Sequence, residues 1–421
     1  MRVLVVGGGG RCHAIIHALS KSVQVDKIYA APGNDGMRDL AELIPIKETD
    51  VDSLLRFAKE SRVDLTVVGP ELSLEAGIVN SFEEEGLRIF GPSKEAARIE
   101  TSKSYAKNIM LKYGIPTAAY KAFTEFDQAL EYAKLCEQNK SYPIVIKYDG
   151  LAAGKGVIIA QDYEMAKKAL HDMLVDDMYG HSAVIIEEYL EGPEFTFMCF
   201  VDGHNVYPMV VSQDHKRAFD GDLGPNTGGM GAYSGVPVIS ASDEAKALEQ
   251  IMKPAAKAMV LEGVPYKGVL YGGLIKTKDG IKTIEFNARF GDPEAEVVLP
   301  RLKSDIFDVF SNIIDGKSVK LDWSNDYTIG VVLASNGYPS DYKKGYPIKG
   351  LENVDGYVYH MGTKFDGKDF ITNSGRVLIV VQSGATLEEA RENAQRDIKQ
   401  ISCSSLFCRK DIGLNSLVLS K

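Results

Sequence analysis

The chain has 421 residues, a length that accommodates about two to four domains and a large buried core. Its composition, 45% hydrophobic and 25% charged, is typical of a globular protein, and no apolar run approaches the length of a membrane span, so we expect no membrane partner. A net charge of -10 argues against a nucleic-acid partner, which requires a basic surface. The five cysteines form no C-x-x-C pair and no leader segment is evident, so we expect reduced thiols, no zinc site and a cytoplasmic location.

Short apolar runs alternate with helical patterns through the first hundred residues. The runs cover residues 3–6, 28–31, 65–68 and 88–90, and each ends in a glycine-containing or proline-containing turn. This alternation predicts an α/β region whose parallel sheet carries helices on its faces. Ligands of such sheets bind at the carboxyl ends of the strands, so we expect Gly9, Asn34 and Glu71 to meet at one edge.

The first run leads into GGGGRCHA, which invites comparison with the dinucleotide fingerprint G-x-G-x-x-G. The third glycine position is Cys12, and the second strand ends in Pro-Gly-Asn without the carboxylate that would bind a ribose hydroxyl, so a nicotinamide site is not favoured. A tight glycine turn before a helix still predicts an anion site. His13 and His17 are four residues apart but lack an intervening Glu and an obvious third ligand, so we do not expect them to bind metal.

The pattern changes beyond residue 100. Residues 100–103 lead into a helix that runs to about Tyr113, and strand pairs joined by glycine-rich turns follow, as in an antiparallel α+β region. From about residue 326 we predict strands at 329–333 and 377–381 and a helix from Leu387 to about Ile401.

The segment IVIKYDGLAAGKGVIIA, residues 144–160, resembles a P-loop superficially. Only three residues separate Gly150 from Gly154, Gly156 follows Lys155, and a strand rather than a helix comes next. The pattern therefore predicts a hairpin with a glycine-rich tip whose backbone N–H groups cradle phosphates. The alternative is a flexible surface hairpin in which Lys147 simply extends to solvent.

The segment VIIEEYLEGPEFTF, residues 184–197, places Glu187 and Glu188 at the end of an apolar strand. Adjacent carboxylates at such a position usually form a solvated edge. They could instead accept a hydrogen bond from an adenine amino group, with Glu194 beyond the turn accepting from ribose hydroxyls.

Residues 283–294, TIEFNARFGDPE, show the strongest local pattern for chemistry. On a strand, Glu285, Asn287 and Arg289 point to one face while the apolar residues between them point to the other. Carboxylate and amide oxygens suit Mg²⁺ held jointly with substrate phosphates, and a guanidinium grips a carboxylate or phosphoryl group. The alternative is the polar outer face of a sheet.

Residues 213–234, QDHKRAFDGDLGPNTGGMGAYS, form a long polar, glycine-rich stretch that mixes acid and base at Asp214 and Lys216. Long loops without secondary structure are uncommon in compact domains and are usually functional. We therefore predict a functional loop rather than a disordered insertion.

Together these segments resemble the phosphoribosylamine–glycine ligase (glycinamide ribonucleotide synthetase) family of ATP-grasp enzymes. The matching motifs are GGGGRCHA, APGNDG, GPELSLEAG, FGPSKEAARIETSK, IKYDGLAAGKGV, EEYLEGPE, QDHKRAFDGDLGPNTGGMGAYS, EFNARFGDPE, SNGYPSDYKKG and GRVL. The resemblance implies a Rossmann-like domain over residues 1–100, an ATP-grasp domain over 101–325 with a mobile lid subdomain at about 120–190, and a small β-rich domain over 326–421.

The resemblance also implies the reaction. ATP phosphorylates glycine, and 5-phosphoribosylamine attacks the glycyl phosphate to give glycinamide ribonucleotide, ADP and phosphate, the second step of de novo purine synthesis. Mg²⁺ or Mn²⁺ serves as cofactor, the partners are these small molecules, and the chain is a monomer or weak homodimer. The alternatives are another ATP-grasp ligase with a different acid or amine, and a nucleotide-binding module without turnover.

The same resemblance assigns roles to individual residues. The phosphates of ATP would be held by Lys107, Lys147, Gly154, Lys155 and Gly156, and its adenosine by Glu187, Leu190 and Glu194. The metal would be bound by Glu285 and Asn287, the acyl phosphate oriented by Arg289, and glycine placed by Asp214 and Lys216. Phosphoribosylamine would be bound by Gly9, Gly10, Asn34 and Glu71, and its phosphate by Arg376.

Three positions depart from the family pattern. Cys12 stands where the family usually has Glu, Ser73 where Pro is common, and Glu296 where it usually has Gln. A thiol cannot replace a carboxylate as a charged acceptor, so binding of the amine substrate should differ here if position 12 contacts it.

Overall fold

The computed structural model describes residues 1–151, 156–180, 182–414 and 416. Its N-terminal region is a parallel sheet with the strand order β3-β2-β1-β4-β5. These strands are β1 (Arg2–Gly7), β2 (Lys27–Pro32), β3 (Glu42–Leu43), β4 (Leu65–Val68) and β5 (Ile89–Phe90). The helices around it are α1 (Gly10–Ser20), α2 (Val51–Glu60), α3 (Glu71–Glu75) and α4 (Ile78–Glu84). The apolar residues of β1 are fully buried, as expected of a parallel sheet covered on both faces.

The α/β prediction for this region is confirmed, and each predicted strand is found close to its expected position. The short strand β3 was not predicted, because two residues, Glu42 and Leu43, carry no detectable periodicity.

Two helices lie on either side of Ser102; the second is the helix predicted to follow residues 100–103, and the first was not predicted. They are α5 (Lys94–Thr101) and α6 (Lys103–Lys112). Ser102 separates them because its backbone is extended, and its hydroxyl accepts a hydrogen bond from the Tyr105 amide at 3.2 Å. The serine is therefore an N-cap for α6 rather than part of a continuous helix.

A small antiparallel sheet with the order β6-β9-β7-β8 follows, and we call it the lid sheet. Its elements are β6 (Tyr120–Phe123), α7 (Phe126–Gln138), β7 (Ile144–Tyr148), β8 (Val157–Ala160), α8 (Tyr163–Leu174) and β9 (Val184–Glu188). Strands β7 and β8 pair as the predicted hairpin, with Lys147 opposite Val157. Residues 152–155 at the tip lie outside the described part of the chain.

The remaining elements build a large mixed region. The strands are β10 (Glu194–Asp202), β11 (Val206–Pro208), β12 (Ser212–Asp214), β13 (Arg217–Phe219), β14 (Leu223–Asn226), β15 (Gly231–Ser234), β16 (Lys267–Thr277), β17 (Gly280–Asn287), β18 (Tyr327–Ser335), β19 (Pro347–Ile348), β20 (Tyr357–His360), β21 (Thr363–Phe365), β22 (Phe370–Thr372), β23 (Arg376–Gly384) and β24 (Leu406–Phe407). The helices are α9 (Ala241–Ala247), α10 (Lys253–Leu261), α11 (Glu294–Val298), α12 (Ile306–Ile314) and α13 (Leu387–Ile398).

One central sheet runs through this region in the order β17-β16-β10-β12-β15-β18-β23-β20. Strand β15 pairs with β18, so the sheet continues from the middle of the chain into its C-terminal part. The predicted strands at 329–333 and 377–381 are the cores of β18 and β23, and the last predicted helix ends three residues early, at Ile398.

The polar stretch 213–234, expected to lack secondary structure, contains short strands. Strand β12 pairs with β15, while β13 and β14 form a separate hairpin. The strands are too short and too polar for their periodicity to be visible in the sequence.

Histidines join α1 to β20. His13 Nδ1 accepts a hydrogen bond from the His360 amide at 2.9 Å, and His17 Nδ1 lies 2.9 Å from the Tyr359 hydroxyl. Burial, reinforced by the neighbouring His360 and His17, lowers the pKa of His13 to about 3. These rings are packing groups of the α1–β20 contact.

The cysteines at positions 12, 136, 199, 403 and 408 are free thiols. None of the described helices combines the length and the apolar character that crossing a bilayer requires.

The lowered pKa of the buried His13 predicts that the protein loses stability in acid. Its pKa is near 6.5 in the unfolded chain and about 3 in the folded one, so its contribution to stability is complete above pH 6.5 and declines as the pH falls. Between pH 7 and pH 5 we expect a loss of about 2 kcal/mol from this residue. The free energy of unfolding, measured at both pH values, should fall less in His13→Asn than in the unaltered protein. His204→Asn, at an exposed histidine, is the matched control, and equal pH dependence in all three proteins would contradict the assignment.

Candidate active site

A cavity of about 1310 Å³, here called the main cavity, lies where α6, the lid sheet, β12–β14 and β17 meet. Most residues predicted from the sequence to form the site line it, although they are spread over more than 300 positions of the chain. These residues are Glu71, Lys107, Lys147, Gly156, Glu187, Leu190, Glu194, Asp214, Lys216, Glu285, Asn287, Arg289 and Arg376. The fold therefore brings the predicted nucleotide, metal and glycine residues to one place.

A second, smaller cavity of about 170 Å³, the side cavity, lies at the glycine turn before α1. Gly9, Gly10 and Arg376 line it. The two cavities share Arg376 as well as Asp292 and two tyrosines, Tyr338 and Tyr342, so they are adjacent.

The remaining three predicted residues are Gly154, Lys155 and Asn34. Gly154 and Lys155 lie outside the described residues. Asn34 lies beside the glycine turn, but its amide donates to the Gly8 carbonyl at 2.7 Å and to the His360 carbonyl at 2.9 Å. Within the described part of the chain, Asn34 lines neither cavity, and its side chain instead ties the glycine turn to β20.

A buried charge cluster closes the lid side of the main cavity. Glu187 Oε2 lies 3.2 Å from Lys107 Nζ and 3.0 Å from Lys147 Nζ, and all three side chains are at most 5% exposed. Burial lowers the pKa of Lys107 to about 8, against the opposing effect of Glu187. Glu187 Oε1 is buried and has no hydrogen-bond partner among the described residues, so it is available to a donor such as an adenine amino group.

Lys216 and Glu194 are in direct contact, with Lys216 Nζ 2.9 Å from Glu194 Oε2. The residues predicted for glycine and for adenosine are therefore immediate neighbours. Burial raises the pKa of Asp214 to about 7, although Lys216 opposes the shift. Glu294, Glu194 and Glu285 also raise it, so several carboxylates lie near this end of the cavity, which suits a cationic amino group.

Glu285 and Asn287 occupy alternate positions of β17 and line the cavity together, as the strand periodicity predicts. Burial acts to raise the pKa of Glu285, but Lys216, Lys147 and other nearby cations outweigh it, and the pKa is lowered. An ionised carboxylate beside an amide oxygen is a suitable set of donors for a hard divalent cation.

Arg289 is held between two carboxylates. Its Nη2 lies 2.8 Å from Glu100 Oε1, and its Nε lies 3.2 Å from Glu71 Oε2. Burial acts to raise the pKa of Glu71, but Arg289 and Arg11 lower it to about 2. Glu71 is therefore an ionised partner of two guanidinium groups, which fixes the direction in which Arg289 points.

The side cavity combines a guanidinium with a helix N-terminus. Arg376 Nη1 donates to the Gly228 carbonyl at 2.7 Å and lies 2.9 Å from Asp292 Oδ1. A Cβ at Gly10 would come within 2.5 Å of Glu296 Oε1 and 2.9 Å of Met361 Cγ, so a larger residue there would require these side chains to move. Backbone amides at the start of α1 together with Arg376 are suited to an anion.

Two of the departures from the family pattern, Cys12 and Glu296, lie in different surroundings. The Cys12 thiol packs against Gly7 and Gly69, and burial raises its pKa to about 12, so it is neutral. Glu296 is fully buried, and neither of its carboxylate oxygens has a hydrogen-bond partner among the described residues. Burial and Asp292 raise the pKa of Glu296 well above its usual value, which favours the neutral form, whose charge equals that of the Gln usual in the family.

Several residues of the site were not predicted. Glu100 positions Arg289, Lys103 donates to the Gly150 carbonyl at 2.8 Å, and Glu294 accepts hydrogen bonds from Tyr271 and Thr196. Glu100 and Glu294 lie within quoted motifs, so the signal was present, but a single carboxylate near a helix end usually caps the helix.

The chain matches models of the phosphoribosylglycinamide synthetase family along most of its length. The N domain matches residues 1–100, the ATP-grasp (A) domain residues 101–295 and the C domain residues 328–415. A phosphoribosylamine–glycine ligase of Halalkalibacterium halodurans is 52% identical over 99% of this chain and 97% of its own length. One of Caldanaerobacter subterraneus is 48% identical over 98% of this chain and 99% of its own.

Solved structures agree with these matches. The crystal structure of phosphoribosylamine–glycine ligase from Thermotoga maritima aligns with a TM-score of 0.86 and 33% identity, covering 98% of this chain and 100% of that one. A biotin carboxylase from Campylobacter jejuni, 15% identical, shares the fold with a TM-score of 0.75 and covers 98% and 94% of the two chains. Because family models cover most of its residues and relatives about half identical span its whole length, the chain belongs to the phosphoribosylglycinamide synthetase family.

Proposed function

We infer that the chain is an ADP-forming ligase that joins glycine to 5-phosphoribosylamine at the expense of ATP, in purine biosynthesis. The observation that carries this function is the main cavity, where the predicted nucleotide, metal and glycine residues meet in a chain of this family. A ligase for another acid or amine is not favoured, since the relatives that match the whole chain carry the name of this one activity.

The reaction proceeds in two transfers. One carboxylate oxygen of glycine attacks the γ-phosphorus of ATP, the bond to the β-phosphate oxygen breaks, and ADP leaves. The amine nitrogen of phosphoribosylamine then attacks the carbonyl carbon of glycyl phosphate, inorganic phosphate leaves, and the nitrogen gives up one proton. Both transfers depend mainly on positioning and on neutralising charge.

We propose that the lid side of the main cavity binds ATP. Lys107 and Lys147 would contact its phosphates, with the glycine-rich tip (Gly154, Lys155 and Gly156) closing over them. Glu187, Leu190 and Glu194 would hold the adenosine. The orphaned Oε1 of Glu187 supports this placement, because a buried acceptor without a donor costs free energy until a ligand supplies one.

The family uses a divalent metal, and we propose Mg²⁺ or Mn²⁺ bound by Glu285 and Asn287. The oxygen donors and the ionised state of Glu285 fit such an ion. When bound, it would supply positive charge to the transferred phosphoryl group. Arg289, whose orientation is fixed by Glu71 and Glu100, would orient the acyl phosphate.

We propose that Asp214 binds the ammonium group of glycine and that Lys216 binds its carboxylate. Phosphoribosylamine would enter through the side cavity, its phosphate on Arg376 and the amides of Gly9 and Gly10. Glu71 and Asn34 would complete that site, although their present partners are Arg289, Arg11 and backbone carbonyls.

We further propose a cytoplasmic monomer or weak homodimer with no nucleic-acid or membrane partner, consistent with its acidic charge and free thiols. We propose three domains, over residues 1–100, 101–325 and 326–421. The second contains a lid subdomain at about 120–190.

The function is tested by ADP release from ATP with glycine, with and without freshly generated phosphoribosylamine. Release that requires both substrates is the expected result. If ATP binds but neither substrate stimulates release, the nucleotide site stands and the assigned substrates are wrong.

Removing the charge of Glu285 should impair metal binding. In Glu285→Gln we expect the half-saturating metal concentration to rise by at least about tenfold and turnover to fall by about a hundredfold or more, because one charged ligand is lost. Glu262→Gln, which alters a surface carboxylate paired with Lys112, is the matched control. Unchanged metal dependence in Glu285→Gln would refute the metal assignment.

The lowered pKa of Lys107 predicts that nucleotide binding weakens in alkali. With a pKa of about 8, the side chain is mostly charged at pH 7 and mostly neutral at pH 9. Metal-free ADP should therefore bind about tenfold more weakly at pH 9 than at pH 7, as titration calorimetry would measure. Lys107→Arg, which stays charged, should lose this pH dependence. A pH-independent affinity in the unaltered protein would remove Lys107 from the phosphate site.

A further inference from the structure

Lys216 is followed directly by a hairpin that does not belong to the central sheet. Strands β13 and β14 pair only with each other, Arg217 opposite Asn226, among the described residues. Their turn includes Gly221, whose φ of 70° lies in the left-handed region. We call residues 217–226 the substrate-loop hairpin. Asp214 is held in the central sheet by the pairing of β12 with β15, whereas Lys216 directly precedes the hairpin, so the position of the hairpin affects that of Lys216.

The hairpin is held by Arg409, which comes from the C-terminal segment nearly two hundred residues away. Its guanidinium is almost completely buried. Nη1 donates to the Arg217 carbonyl at 3.0 Å and lies 2.9 Å from Asp222 Oδ1, so one nitrogen contacts both the first strand of the hairpin and its turn. Nε and Nη2 donate to the two oxygens of Asp411, each at 2.7 Å. A guanidinium fixed on one side by a bidentate carboxylate has little freedom on the other.

Backbone hydrogen bonds reinforce this contact in both directions. The Gly221 amide donates to Asp411 Oδ2 at 2.8 Å, and the Lys410 amide donates to Asp220 Oδ1 at 2.8 Å. The Gly413 amide lies 3.4 Å from Nε2 of His215, which is the residue between Asp214 and Lys216. The segment 409–413 thus fastens the loop along its length rather than at one point.

Arg409 does not line the main cavity, as far as the described residues show, so it acts through the loop and not on a ligand. Its guanidinium is buried and its contacts are charge-assisted, so its loss removes a donor from the Arg217 carbonyl, from Asp222 and from Asp411. Removing it should therefore loosen the hairpin and, with it, Lys216, which the proposed function assigns to the glycine carboxylate.

We propose that Arg409 is a positioning residue for the amino-acid substrate: it holds the substrate-loop hairpin so that Lys216, which directly precedes the hairpin, faces the main cavity. The inference rests on the proposed function, in which Lys216 binds the carboxylate of glycine. It assigns to the C-terminal segment a part in substrate affinity.

The experiment compares the full-length protein with Arg409→Gln, measuring the KM values for glycine and for ATP. We expect the KM for glycine to rise by about tenfold while the KM for ATP stays within about twofold, because the lysines of the lid side are not touched. Arg409→Lys, which keeps the charge but not the fork, should lie between the two proteins. Arg301→Gln removes another buried guanidinium, one bonded to Ser234 and Ser324, and should leave the KM for glycine unchanged.

A general loss of structure would raise both KM values together, and that outcome would overturn the proposal, as would an unchanged KM for glycine. If Arg409→Gln fails to fold, Asp222→Asn removes one partner of Arg409 at a half-exposed position and should shift the KM for glycine in the same direction. An unchanged KM for glycine in this variant would equally overturn the proposal.

Hydrogen exchange separates this proposal from the proposed function. If the unaltered protein shows no glycine-dependent turnover, the proposed substrate is wrong, yet amides of residues 215–226 should still exchange faster in Arg409→Gln than in the unaltered protein. Equal exchange of this segment in the two proteins would overturn the positioning role on its own.

Discussion

The carboxylate of Glu187 lies between two buried ammonium groups, and the organisation of the site depends on this cluster. Lys107 comes from α6, whereas Lys147 and Glu187 come from neighbouring strands of the lid sheet. Two buried cations facing one anion leave an excess of positive charge, which the phosphates of a nucleotide would neutralise. Loss of Glu187 would leave two like charges out of water, a defect that costs about 3–5 kcal/mol for buried pairs. The same group that fastens the lid sheet to the rest of the molecule therefore prepares it for an anionic ligand.

The other charged groups of the main cavity follow a similar arrangement in which each functional residue is held by an opposite charge. Arg289 lies between Glu71 and Glu100, and Lys216 contacts Glu194. Side chains paired in this way keep their direction before a substrate arrives, so little conformational entropy remains to be lost on binding. The acidic patch around Asp214 is the counterpart of this cationic set and lies on the side where a glycine ammonium group would be bound.

The structural elements that could be predicted from the sequence are those determined by residues close together in the chain. The alternating strands of the N-terminal region, the β7–β8 hairpin and the polar face of β17 all follow from spacings of a few residues. The contact between Glu187 and Lys107 could not be predicted in this way, because it depends on how α6 docks against the lid sheet. Glu100 was missed since its partner, Arg289, is far away in sequence.

The pairing of β15 with β18 has a consequence for the synthesis of the protein. Strand β15 is buried at all four positions, and one of its edges is covered only by a strand that begins at Tyr327. At about 5–20 residues per second, the ribosome needs several seconds to travel from Ser234 to that strand. During this interval the edge of β15 that β18 will occupy is unpaired, and unpaired sheet edges pair readily with other chains. The central sheet is therefore complete only when the C-terminal region emerges.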